Sequence, residues 1–156
     1  MHLRPILLSV LTSIFYIASS AAPPKYVFLL IGDGMGINQV AATERYHAAL
    51  DSGRIGREPL TMTQFPYMAL CHTYSLSNGV TSSSAAGTAL ATGNKTANGV
   101  LGMDSTRTGT LTSIAELAHK SGRAVGIVTS VSIDHATPGA FYAHVPNRGM
   151  HAQIGK

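Results

Sequence analysis

The stretch that most constrains the fold is YVFLLI, an unbroken apolar run from Tyr26 to Ile31 with two prolines upstream and Gly32 behind it. A short run without polar alternation is the pattern of a strand covered on both faces, which places it at the centre of a parallel sheet. Gly32, Asp33, Gly34, Met35 and Gly36 then form a tight turn, and Ile37, Val40 and Ala41 carry helical spacing predicted to run to about Leu50. Asp51 to Pro59 is polar and reads as a loop, and Tyr67 to Tyr74 is a second strand candidate. A further helix is predicted from about Leu111, with Leu111, Ile114, Ala115 and Ala118 on one face, Ser113 and Glu116 at capping-box spacing, and Gly122 as its stop. Ala124 to Ser130, AVGIVTS, is the next buried strand. This alternation predicts an α/β fold, a three-layer α/β/α sandwich around a mainly parallel sheet. No internal repeat or low-complexity linker interrupts it.

The amino terminus has a different character. His2 and Arg4 precede an apolar stretch from Ile6 to Ala18, and small residues from Ser19 to Ala22 follow. Residues 1–21 therefore read as a secretory signal peptide with cleavage near Ser20 or Ala21, the run being short for a membrane span. Residues 22–156 form the domain, and export to the periplasm or the cell exterior is expected. Without Arg4, ten Lys and Arg stand against seven Asp and Glu, and the positive residues are scattered. A nucleic-acid face needs a basic stripe, so no nucleic-acid partner is indicated, whereas an anionic small substrate is compatible. Cys71 is the lone cysteine, which excludes an intrachain disulfide and a thiolate metal cluster, so any metal must take oxygen and imidazole ligands. Asn94, Lys95 and Thr96 form an N-glycosylation acceptor, relevant in a eukaryotic secretory pathway.

Chemistry concentrates at three places. Asp33 follows the first strand, where open α/β sheets gather ligands. Ser82, Ser83 and Ser84 open a run of small residues, GVTSSSAAGTALATG, read as a turn leading into a helix. By itself that run is an N-cap, although the same helix end can stabilise an anion. Asp134, His135, Thr137 and, further on, Arg148 follow the strand ending at Ser130. Carboxylate and hydroxyl suit hard divalent cations, imidazole adds affinity for zinc, arginine grips phosphate oxygens, and serine can be a nucleophile. Brought together by a sheet, these make a phosphoryl-transfer inventory.

LLIGDGMG at 29–36, VTSSSAAGTALATG at 80–93 and HATPGAFYAHVPNR at 135–148 resemble alkaline phosphatase in content, order and spacing. The resemblance covers about Lys25 to Arg148. It implies hydrolysis of small phosphate monoesters by a homodimer with two Zn²⁺ and one Mg²⁺, through a phosphoserine. Asp33 would be a ligand shared by zinc and magnesium, Ser83 the nucleophile and a zinc ligand, and Arg148 the phosphate clamp. His135 and Thr137 fall at the magnesium end; some members carry aspartate where His135 stands. Whether the protein is free or membrane-anchored is not indicated.

Two departures qualify the match. The family commonly has aspartate just before the nucleophile, where this chain has Ser82, which bears on how Arg148 is held. The family's other zinc ligands lie beyond this part of the fold, and after Arg148 His151 is the one candidate substitute. The chain is therefore expected to be the amino-terminal part of a larger enzyme, its domain incomplete and inactive alone. The rival readings are a phosphodiesterase of the same superfamily, with Thr81 available, and a secreted truncated pseudoenzyme that binds phosphate or a partner. A sulfatase is not supported, because Cys71 is followed by His72 and Thr73 rather than the proline and arginine that a modified cysteine requires.

Overall fold

A computed structural model describes residues 24–53 and 55–156, so the expected leader at 1–21 lies outside the described residues. The chain divides into one unit ending at Ile31 and another spanning Gly32–Lys156. Among the described residues of the second, five α-helices occur: α1 (Ile37–Ser52), α2 (Ser83–Thr92), α3 (Ile114–Lys120), α4 (Ala136–Gly139) and α5 (His151–Ile154), with a 3₁₀ turn at Thr61–Gln64. None of the described helices is long and apolar enough to cross a membrane.

The helix starts follow from their sequences. At α1, Gln39 Oε1 accepts from the Gly36 N–H at 3.0 Å, and Gly53 closes the far end in the left-handed conformation. At α3 the expected capping box is present: Ser113 Oγ accepts from the Glu116 N–H at 3.1 Å while Glu116 Oε2 accepts from the Ser113 N–H at 2.7 Å. That cap moves the start of α3 to Ile114 and leaves Leu111 outside it. The helix expected from about Leu111 is shorter than its apolar spacing suggested, because the cap sets the boundary.

The buried strands are not observed. Among the described residues β-pairing is confined to two isolated antiparallel bridges, Leu101 with Val145 and Met103 with Thr110. Phe28 and Leu30 are 84% and 87% exposed, Tyr67 is 92% exposed and Val128 98% exposed. Apolar runs report a preference for burial, which is met only where other layers cover them. The core lies elsewhere, in Leu101, Ala136, Ala140, Ala143, Val145 and Ile154, with Phe141, Tyr142 and Met150 against it. Helices α2 and α4 pack closely because Gly87 has no side chain: a Cβ there would stand 3.0 Å from the Ala140 Cβ. His144 ties the bridged segment to α3, with Nδ1 2.7 Å from the Gly102 carbonyl and Nε2 3.1 Å from Glu116 Oε1. Burial pushes the Glu116 carboxyl up, but the Ser113 N–H and His144 outweigh it and leave the group below its ordinary value.

Glu44 anchors α1 to the segment after it. Its buried carboxylate accepts from Thr63 Oγ1 at 2.6 Å, the Leu60 N–H at 3.2 Å and Arg57 Nη1 at 3.2 Å. The Thr63 hydrogen bond, then those from Leu60 and Arg57, hold the carboxyl below its ordinary range against the cost of burial. A depressed folded value means that this stabilisation is complete above the ordinary carboxylate range and is lost as pH falls through the lower folded value. Glu44→Gln should therefore lower the thermal midpoint at pH 7 and narrow its gap from wild type at pH 3. A gap equal at both pH values in circular-dichroism melts would refute this role.

Candidate active site

Asp33 sits in the turn after Gly32, where the Met35 N–H reaches the Gly32 carbonyl at 3.2 Å and Gly34 adopts φ +73°. Its exposed carboxylate gathers two hydroxyls from far along the chain. Ser83 Oγ donates to Oδ1 at 3.1 Å, and Thr137 Oγ1 donates to Oδ2 at 2.9 Å. Ser83 is the first residue of α2 and Thr137 lies in α4, so the close α2–α4 packing delivers both to Asp33.

Ser82 is the α2 N-cap, its Oγ accepting from the Ala85 N–H at 3.3 Å. The same oxygen lies 2.8 Å from Ser84 Oγ, and the Gly99 N–H approaches both serine oxygens at 3.1 Å. Asn98 completes the grip: its Oδ1 accepts from the Ser82 N–H at 2.9 Å and its Nδ2 donates to the Val80 carbonyl at 3.0 Å. The Gly99 carbonyl accepts from the Arg148 N–H at 2.7 Å. One residue, Gly99, thus joins the serine turn to the backbone of Arg148 through the peptide groups on either side of it.

The half-buried Arg148 directs Nη2 to His135 Nε2 at 3.2 Å. A guanidinium only donates, so Nε2 accepts and the ring hydrogen is on Nδ1, which is buried without a hydrogen-bond partner among the described residues. Ser82 spends its side chain on the helix cap, and His135 is the side chain that meets the guanidinium. His151 Nδ1 pairs with Asp134 Oδ2 at 3.0 Å. A hydrogen bond from Ser132 and the nearby His151 hold the Asp134 carboxyl below its ordinary value against partial burial.

The structure therefore unites Asp33, Ser83 and Thr137, and joins His135 to Arg148. Asn98 and Gly99 have a structural role here that the sequence, read as ordinary loop from Asn94 to Arg107, did not reveal; the Asn-Gly pair signals a turn but not its partners. As a donor set, Asp33 with the Ser83 and Thr137 hydroxyls suits a hard cation such as Mg²⁺. No group of three or more His, Cys, Asp or Glu able to hold a metal occurs among the described residues, so the imidazole-rich set of a zinc pair is not assembled here.

The family pattern of alkaline phosphatase matches residues 24–155. Alkaline phosphatase 4 of Drosophila melanogaster is 38% identical over 131 residues, covering 80% of this chain and 22% of that protein. The tissue-nonspecific alkaline phosphatase isozyme of Gallus gallus is 36% identical over 137 residues, 82% of this chain and 26% of its own length. Among solved structures, alkaline phosphatase from a psychrophilic Shewanella species superposes with TM-score 0.66 at 34% identity, covering 76% of this chain and 29% of that one. An alkaline phosphatase from the Antarctic bacterium TAB5 gives TM-score 0.60 at 33% identity, covering 71% and 31%. A variant of the latter with aspartate in place of a histidine was solved with Mg bound in its M3 site; it gives TM-score 0.61 at 32% identity, covering 72% and 31%. The chain spans about a quarter of the length of these curated relatives.

Proposed function

Because the chain belongs to the alkaline phosphatase family, we propose that it supplies the nucleophile and phosphate clamp of a metal-dependent phosphomonoesterase acting through a phosphoserine at Ser83. The observation that carries this reading is Asp33, one carboxylate receiving the Ser83 and Thr137 hydroxyls from 50 and 104 positions away. Ser83 Oγ gives up its proton and bonds to phosphorus as the bond to the substrate oxygen breaks, the leaving alkoxide taking up a proton; water then cleaves the phosphoserine, regenerating the Ser83 hydroxyl and releasing phosphate. The α2 amino terminus favours the anionic phosphoryl group beside Ser83, and Arg148 offers a forked donor to two of its oxygens. Asp33, Thr137 and Ser83, with His135 once its Nε2 is released from Arg148, are the residues of this chain that would contribute to holding Zn²⁺ and Mg²⁺, whose charge would offset that developing on oxygen.

The same reading extends to matters of whole-protein organisation. Two Zn²⁺ and one Mg²⁺ per site, a homodimer, export directed by residues 1–21 with the domain beginning at 22, and completion of an α/β/α sandwich by further strands all belong to it. The 156 residues alone are expected to be inactive, since a zinc pair takes about four ligands per metal. The test is a rapid quench of the full-length, metal-loaded protein turning over a phosphomonoester with a labelled phosphoryl group. One label on the peptide containing Ser83 is expected. Turnover without label on Ser83 would overturn the proposal.

A further inference from the structure

We propose that Asn94 is an N-linked glycan acceptor whose modification precedes folding, a site that rests on the export reading above. Asn94, Lys95 and Thr96 are the sole Asn-X-Ser/Thr triplet in the chain, and the fold treats its three residues differently. Asn94 is exposed, just after the left-handed Gly93 that ends α2. Its Nδ2 donates to the Thr92 carbonyl at 2.9 Å, using one of two N–H bonds, so the other can be exchanged for a sugar without losing that contact. Open space surrounds the Gly93 Cβ direction beside it.

Lys95 and Thr96 are locked in. Lys95 Nζ lies 3.4 Å from the centre of the Tyr74 ring and donates to the Tyr74 and His72 carbonyls. The Thr96 carbonyl accepts from the Leu76 N–H at 3.0 Å, and its side chain is 0% exposed. Thr96 Oγ1 has no hydrogen-bond partner among the described residues. An unpartnered buried hydroxyl is a cost that an isosteric valine would avoid. Its use is explained if the hydroxyl is read before the chain folds, as Asn-X-Thr recognition requires.

In the step, the Asn94 Nδ2 bonds to the anomeric carbon of an oligosaccharide carried on a lipid pyrophosphate. The carbon–oxygen bond to the pyrophosphate breaks, the lipid pyrophosphate leaves with the electron pair, and the amide releases one proton.

The experiment is translation of the full-length protein with endoplasmic-reticulum microsomes, once with its own leader and once with a leader of proven efficiency in its place. Only protease-protected chains are scored. Protected wild-type chains should run one mobility step above Asn94→Gln and Thr96→Val chains, the step vanishing on asparagine-specific deglycosylation. Thr96→Ser should retain it. Folded protein from a non-glycosylating host should not be modified by the same microsomal extract. Protected chains of the leader-replaced form that co-migrate with Asn94→Gln would refute the acceptor. Modification with the substituted leader but not with the native one would count against export alone. Modification of the folded protein would refute the timing, and a lower melting point for unglycosylated Thr96→Val would show a structural use for the hydroxyl and remove the argument.

Discussion

Ser83→Ala in the full-length, metal-loaded protein is expected to lower phosphomonoesterase turnover by about 10³-fold or more, the scale on which loss of a covalent nucleophile acts. The fold should survive. Alanine suits the first turn of a helix, and the α2 cap from Ser82 to the Ala85 N–H is untouched. Asp33 keeps its bond from Thr137 and, being exposed, exchanges the lost one for water. The contrast with Ser82 decides which serine attacks. Ser82→Ala removes the cap and the oxygen that the Gly99 N–H approaches, so it should cost about 1 kcal/mol of stability. It should nevertheless retain most turnover, since Ser83 stays in place. Near-wild-type turnover in Ser83→Ala, measured as initial rates alongside circular-dichroism melts, would end the assignment.

Asp33→Asn should be nearly as damaging, through charge rather than shape. The carboxylate accepts one hydroxyl on each oxygen, whereas an amide presents one acceptor and one donor, so one of the Ser83 and Thr137 hydroxyls must give up donating and turn to accept. An amide is also a much weaker partner for divalent cations than a carboxylate. We expect bound metal per chain to fall and turnover to drop by about a hundredfold or more. Elemental analysis of the purified variant is the decisive reading, because it moves independently of activity. Wild-type metal content together with wild-type turnover would remove Asp33 from the centre.

Local chemistry made much of this legible beforehand. The Ser113–Glu116 box, the Gly122 stop and the serine start of α2 are each written within a few residues, and each is where it was expected. Asp33, Ser83 and Thr137 were legible as types suited to one reaction, and the fold brings the three side chains together. Less could be read where the partner lies far off. Phe28 and Val128 carry the composition of buried strands yet stand exposed, because side-chain preference does not specify which layers cover it. The exchange at Arg148 was equally hidden: Ser82 in place of aspartate raised the question, but only the fold shows His135 meeting the guanidinium. Asn98 and Gly99 hold the serine turn from 16 and 17 positions away, and nothing local in an Asn-Gly pair announces that.

The span of the Asp33 contacts bears on how the protein comes into being. Loop-closure cost grows only logarithmically, by about 0.6 kcal/mol per doubling of length, so reaching Thr137 costs little more than reaching Ser83. What distance imposes is order in time. A ribosome makes Asp33 first, Ser83 fifty residues later, and Thr137 well after that, so the carboxylate waits for its second hydroxyl until Thr137 has emerged. The Asp33 contacts are therefore complete only after the slow search that distant contacts require.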